Sequence, residues 1–286
     1  MPQVRVSDDI SISYDVVGEG PAVLLLHGFP ETRAMWAPVA RVLSTDFTVV
    51  TADLRGYGAS SKPEAVSDLS NYSFRAMGQD MLALMDRLGH ARFHLVGHDR
   101  GARTAYRMAQ DAAERMTSLC LMDILPTDDL IAAWDYPVSK AYFHWSLLAQ
   151  PAPLPEQMIG ADPDLFFETC LLGWGGAQSD LFDNLEAYRA AWRDPATIAG
   201  MVNDYRAAVG IDLRLDAADA GRVLDVPTLI LYGADGVMAR HFDVAAAWKA
   251  RFSDMRSGSV PGGHFFVDQS PDATSAALKE FLTSVS

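Results

Sequence analysis

Gly97-His98-Asp99-Arg100-Gly101-Ala102-Arg103 follows the apolar run Phe93-His94-Leu95-Val96 and precedes a helical stretch from Thr104 to Ala109. A strand, a tight turn and a helix in that order push the middle side chain of the turn out at the top of a sheet. Gly97, Gly101 and Ala102 are small enough for the backbone to double back there. The displayed residue is Asp99, a carboxylate where esterases and lipases carry serine. Such a carboxylate is already ionised at neutral pH and can attack sp3 carbon, expelling halide or opening an epoxide. A turn carboxylate that only caps the following helix is the structural alternative.

The neighbouring segments repeat the strand and helix alternation. Val23 to Leu26, Phe47 to Ala52, Phe93 to Val96 and Ser118 to Ile124 read as parallel strands, and Val4 to Val17 alternates like strands. Between them Phe74, Met77, Met81, Leu84 and Leu88 recur at helical spacing behind the N-cap candidate Ser73. After Pro126 the strand pattern stops. Helical, aromatic-rich sequence then runs to about Asp216, broken by Gln150-Pro151-Ala152-Pro153-Leu154-Pro155. Strand character resumes at Pro227-Thr228-Leu229-Ile230-Leu231-Tyr232-Gly233, with a helix expected around Phe242 to Phe252, a short strand to Val260 and a closing helix through Phe281. The expected organisation is an α/β core over 1–126 and 216–286, with a helical cap inserted at 127–215.

The 286 residues suffice for a large core. With 23 basic against 37 acidic residues the net charge is −14, which argues against nucleic acid or an anionic membrane as partner. The same charge repels small anions at long range, so a site that takes an anion must carry its own arginines. Cys120 and Cys170 are the only cysteines, and neither a disulfide framework nor a metal cluster is implied. The first residues lack a signal-peptide pattern and no stretch is long enough to span a bilayer, so a cytoplasmic location is expected. A homodimer is compatible with the sequence, and no cofactor is called for.

His27-Gly28-Phe29-Pro30 ends the strand Val23 to Leu26, and a turn of this kind aims backbone N–H groups at a developing oxyanion; Phe29 and Arg100 would supply the two amides. Asp53-Leu54-Arg55-Gly56-Tyr57-Gly58-Ala59-Ser60 is assigned to structure. Gly262-Gly263-His264-Phe265-Phe266 puts a histidine in a flexible turn after a short strand, where a general base belongs. His90, His94 and His241 have no comparable setting. Two aspartates could orient that base: Asp123, ending the strand after the elbow helix, and Asp235, two residues after Gly233. Asp123 is preferred. Arg100 and Arg103, three apart at the start of the elbow helix, share a face beside Asp99 and suit a substrate carboxylate, the competing expectation being ion pairs with neighbouring acids. His144, Trp145 and Tyr205 offer an imidazole, an indole N–H and a phenol as donors, although aromatic helix residues usually just pack.

These motifs together resemble the α/β-hydrolase superfamily over the whole chain, and within it the haloacetate dehalogenases, the fluoroacetate dehalogenases in particular. The resemblance rests on the elbow with Arg103, on His144-Trp145 leading to Leu148-Ala149-Gln150-Pro151-Ala152-Pro153, on Asp204-Tyr205-Arg206, and on Gly262-Gly263-His264-Phe265-Phe266-Val267-Asp268. It implies a mostly parallel eight-stranded sheet flanked by helices, with a helical cap. It further implies Asp99 as nucleophile, His264 as base, Asp123 as its acid, Arg100 and Arg103 on the carboxylate of a small haloacid, and His144, Trp145 and Tyr205 on the halide, with no metal. Ala102, where glycine is common, and Asp235 depart from the family pattern. Epoxide hydrolysis is the enzymatic alternative; it shares the aspartate and histidine but normally uses two cap tyrosines, for which Tyr205, Tyr136, Tyr142 and Tyr188 are available. A non-catalytic ligand receptor on the same fold is the alternative of another class.

Overall fold

The computed structural model describes residues 2–174 and 179–285. Eight strands form one sheet: β1 (Gln3–Arg5), β2 (Ser11–Val17), β3 (Ala22–Leu26), β4 (Thr48–Ala52), β5 (Phe93–His98), β6 (Met116–Met122), β7 (Thr228–Gly233) and β8 (Met255–Val260). Their order across the sheet is β1-β2-β4-β3-β5-β6-β7-β8. β2 runs antiparallel to β1 and β4, and every other pairing is parallel. Strands β3 and β5 are buried from end to end, which is why β3 reads as an unbroken apolar run and β5 does not alternate in polarity. β8 lies on the sheet edge and is accordingly polar, with Arg256, Ser257 and Ser259 among its residues.

Helix Phe74–Arg87 buries Phe74, Met77, Met81 and Leu84, and Ser73 caps it by accepting from the Ala76 N–H at 3.1 Å. It packs on the elbow helix Arg100–Asp111, which follows β5 directly. Between β6 and β7 the described chain is helical from Thr127 to Ala218 apart from short links. That insertion grips the core at Asp212, whose Oδ1 accepts the Phe74 N–H at 3.0 Å, and where the chain returns to the core Arg107 pairs with Asp216 and Asp219. No helix among the described residues is long and apolar enough to cross a membrane.

The expected helix around 242–252 is shorter than its apolar spacing suggests. It spans Val244–Lys249 and is preceded by a separate helix, Val237–His241. The break falls at Asp243, whose side chain accepts the Ala246 N–H at 2.9 Å and starts the second helix, a local side-chain bond that competes with helix continuation. Strand β6 ends at Met122, so Asp123 stands beyond it with φ 52°.

Candidate active site

Asp99 sits between β5 and the elbow helix at φ 45° and ψ −112°. Few L residues tolerate that backbone, and the strain is held by close packing on either side. A Cβ on Gly101 would stand 2.3 Å from the Leu26 carbonyl oxygen, and one on Gly97 would stand 2.4 Å from the Gly101 carbonyl oxygen. Both glycines are therefore required by the approach of backbone to backbone. The carboxylate is buried, and its Oδ2 accepts the Phe29 N–H at 3.0 Å. Burial alone would raise its pKa, but His264, Arg100, His98 and Arg103 outweigh it and bring it below the ordinary value. The Arg100 amide opens the helix, at a position with no intrahelical acceptor of its own.

His264 enters from the loop after β8. Its Nδ1 lies 2.6 Å from Asp123 Oδ2, and Asp123 Oδ1 accepts the Gly233 N–H at 3.0 Å. A carboxylate facing Nδ1 places the proton there and leaves Nε2 as the basic nitrogen. Asp235 is engaged elsewhere, since it is exposed and accepts the Gly262 N–H at 3.2 Å. Two backbone bonds fix the His264 residue, its N–H to the Trp174 carbonyl at 3.2 Å and its carbonyl to His98 Nε2 at 2.8 Å.

Arg100 and Arg103 are both buried beside Asp99. Arg100 is ion-paired with Asp204 of helix Pro195–Ala207, so the ion-pair expectation holds for this residue. Its Nη1 nevertheless has no hydrogen-bond partner among the described residues. Arg103 directs Nη1 at the Leu125 carbonyl, 3.1 Å, and at Thr127 Oγ1, 2.8 Å, while its Nε is buried and unpartnered. Burial and the neighbouring Arg100 bring its pKa down to about 10, so it is still a cation at neutral pH.

The insertion brings His144 and Trp145 on helix Phe143–Leu148 and Tyr205 on Pro195–Ala207 to the same place. Tyr205 lies 5.3 Å from His144 and 5.2 Å from Trp145 between ring centroids, and all three are buried. The Arg100 guanidinium stacks 4.0 Å from the Tyr205 ring centroid, and that of Arg103 lies 4.9 Å from Trp145. Tyr205 Oη and His144 Nδ1 are buried and have no hydrogen-bond partner among the described residues. Burial holds the His144 pKa well below its ordinary value and the Tyr205 pKa well above, so both are neutral donors at neutral pH. Among the described residues no group of histidine, cysteine and acidic side chains could hold a metal ion.

Residues 21–271 match the α/β-hydrolase fold family model. A fluoroacetate dehalogenase from Burkholderia sp is 53% identical over 96% of this chain and 91% of its own. The chain belongs to the α/β-hydrolase fold family, in its haloacetate dehalogenase group. A soluble epoxide hydrolase from Corynebacterium sp. is more distant, 28% identical over 94% of this chain and 92% of its own. A crystal structure of a candidate α/β hydrolase from Nostoc sp PCC 7120 superposes with a TM-score of 0.96 at 41% identity, covering 99% of this chain and 97% of the other. One of a candidate epoxide hydrolase from Pseudomonas aeruginosa gives 0.92 at 37% identity, covering 99% and 95%.

In this haloacetate dehalogenase family chain the described structure adds residues that the motifs left out. Trp174 lies 4.1 Å from the His144 ring and 5.7 Å from that of His264. Its only signal in sequence is a tryptophan flanked by glycines, Gly173 and Gly175. Tyr142 presents another buried hydroxyl with no hydrogen-bond partner among the described residues, its ring 5.8 Å from His144. Of the other tyrosines considered, Tyr136 is 78% exposed and Tyr188 donates to Asp268 at 3.1 Å, so neither is free to face Asp99. Behind the histidine, Glu31 stands 3.2 Å from His98 Nδ1, and burial, ahead of the opposing bond to Asp268, raises its pKa to about 7.

Proposed function

We propose that the protein is a hydrolytic dehalogenase of small haloacetates, with Asp99 as nucleophile, His264 as base and Asp123 as its orienting acid. The observation that carries this assignment is the pair of unpartnered guanidinium donors, Arg100 Nη1 and Arg103 Nε, buried beside a buried carboxylate. Buried donors without acceptors are costly, and a substrate carboxylate would satisfy both. A carboxylate gripped there puts its α-carbon one bond away, within reach of Asp99. His144, Trp145 and Tyr205 then receive the leaving halide. The helical insertion at 127–215 serves as the cap that closes over it.

In the first step Asp99 Oδ1 attacks the α-carbon, the carbon–halogen bond breaks, and its electron pair leaves with halide. Oδ2, held by the Phe29 N–H, becomes the carbonyl oxygen of the ester. In the second step His264 Nε2 takes a proton from water, and the hydroxide adds to Cγ of Asp99. Negative charge builds on Oδ2 under the Phe29 and Arg100 amides. The bond from Cγ to the former Oδ1 then breaks, and glycolate leaves with the proton from His264. Fluoride is strongly hydrated and a poor leaving group, so the three cap donors must replace its water.

The test is halide release from fluoroacetate and chloroacetate. Asp99→Ala is expected to release none. His264→Asn is expected to release one stoichiometric burst and to trap the ester, seen as added mass on the Asp99 peptide; turnover at the parent rate would remove His264 from the mechanism. Tyr142 favours a second activity, because two buried tyrosine hydroxyls near Asp99 suit the opening of an epoxide. Turnover of a styrene-type epoxide that is lost in Tyr142→Phe would establish it.

A further inference from the structure

The two arginines beside Asp99 are not equivalent. Arg100 gives Asp204 nearly all it has: Nε lies 2.8 Å from Oδ2, while Nη2 bonds Oδ1 and also the Asp204 backbone carbonyl at 3.1 Å. Tyr57 Oη donates to the same Oδ2 at 2.7 Å. Both members of the pair are fully buried, so water does little to screen one from the other. Asp204 overcomes the effect of burial and drives the Arg100 pKa above its ordinary value. Arg103, by contrast, has only uncharged acceptors for hydrogen bonding, and its Nε is left over. At the start of the elbow helix the charges of Asp99, Asp204, Arg100 and Arg103 thus sum to zero before any ligand arrives. Each negative charge on a ligand is drawn by both guanidiniums and repelled by both carboxylates.

We propose that Asp204 is a positioning residue that turns Arg100 so that a single amino group, Nη1, meets the ligand, and whose charge restricts the site to carboxylates bearing one negative charge. This rests on the assignment of Arg100 and Arg103 to the substrate carboxylate. Asp204 lies next to Tyr205 on the same helix, so one insertion element sets both the carboxylate and the halide side of the site. The substrate class is accordingly the monocarboxylic haloacids; small halogenated dicarboxylates are excluded by charge.

Removing the charge of Asp204 strengthens a dianion more than a monoanion, whereas moving the Arg100 cation away weakens a dianion more than a monoanion. The direction in which the ratio of the two affinities moves therefore separates the charge from the orientation. Acetate and oxalate, both two-carbon acids, are titrated as competitors of chloroacetate turnover in the wild type, Asp204→Asn and Tyr57→Phe, with calorimetric titration where turnover is too slow. Asp204→Asn is expected to shift the oxalate-to-acetate affinity ratio toward oxalate by about tenfold or more. Tyr57→Phe, which removes a bond to Asp204 but no charge, is expected to leave the ratio in place. An unchanged ratio in Asp204→Asn, with acetate still competing, overturns the role of Asp204 and leaves carboxylate capture standing. Failure of acetate to compete in the wild type overturns carboxylate capture itself. Should Asp204→Asn not fold, the wild type still decides: oxalate binding more than about tenfold tighter than acetate contradicts a site limited to one charge.

Discussion

A carboxylate that attacks carbon must be ionised and poorly solvated at once, and those demands oppose each other. Asp99, the nucleophile proposed above, meets both because its burial is offset by cations and by the Phe29 N–H. The proposed halide end solves the converse problem. Its donors must be neutral, since a cation there would compete for the substrate's carboxylate, and burial keeps His144 and Tyr205 in that state. A buried phenol without a partner makes its full contribution only when an anion arrives, and the smallest, most hydrated anion needs it most. Tyr205→Phe is therefore expected to lower kcat for fluoroacetate by about 10²-fold, and for bromoacetate by less than about tenfold. Measuring kcat for the two substrates side by side checks this; equal losses would remove Tyr205 from halide stabilisation.

Among the elements, the elbow tolerates the least change. Gly101→Ala forces a Cβ against the Leu26 carbonyl, rigid backbone at the heart of the sheet, and is expected to destabilise the protein by at least about 2 kcal/mol in urea unfolding. Ala102→Gly, on the next residue of the same turn, removes a buried methyl and adds backbone freedom, for a loss of about 1 kcal/mol. Equal losses would show that backbone crowding does not govern the turn. The elbow was legible in sequence because its constraint is local: small residues at fixed offsets around one carboxylate, between an apolar run and a helix. The acid was ambiguous for the opposite reason. Asp123 and Asp235 both follow strands, and what separates them is long-range: Asp123, at φ 52°, is buried against His264, 141 residues away, whereas Asp235 is exposed and holds the Gly262 N–H. The roles of Asp204 and Trp174 were harder still, since Arg100 and His264, which they meet, lie on the core and no spacing rule links a helix of the insertion to a turn of the core.

The insertion and the core also communicate through Asp212, which closes the π-helical turn Ala208–Asp212 and holds the Phe74 N–H. Burial, then the nearby Asp204 charge, raises its pKa to about 8. A carboxyl whose folded pKa lies above its unfolded value of about 4 binds its proton more tightly when folded. Its stabilising contribution is complete below about pH 4 and is lost as pH rises through about 8. Asp212→Asn keeps an acceptor for Phe74 and removes the titration. Its melting temperature is expected to exceed that of the wild type by a margin that is small near pH 5, grows toward pH 8 and is constant above. A margin independent of pH would mean that Asp212 is ionised in the fold throughout.

At the scale of the whole molecule, a net charge of −14 must admit an anion. The repulsion is long-ranged and lies in solvent, so salt screens it over a Debye length of about 8 Å at physiological ionic strength. In the proposed site the attraction comes from Arg100 and Arg103, which are buried and much less exposed to screening. Salt therefore weakens the barrier to approach more than it weakens the grip. Raising ionic strength from about 10 to about 150 mM with potassium gluconate, whose anion is far larger than a haloacetate, is expected to increase kcat/KM for chloroacetate about two- to threefold while kcat stays level. A fall in kcat/KM over that range would show that the field of the two arginines reaches past the acidic surface and already steers the substrate inward.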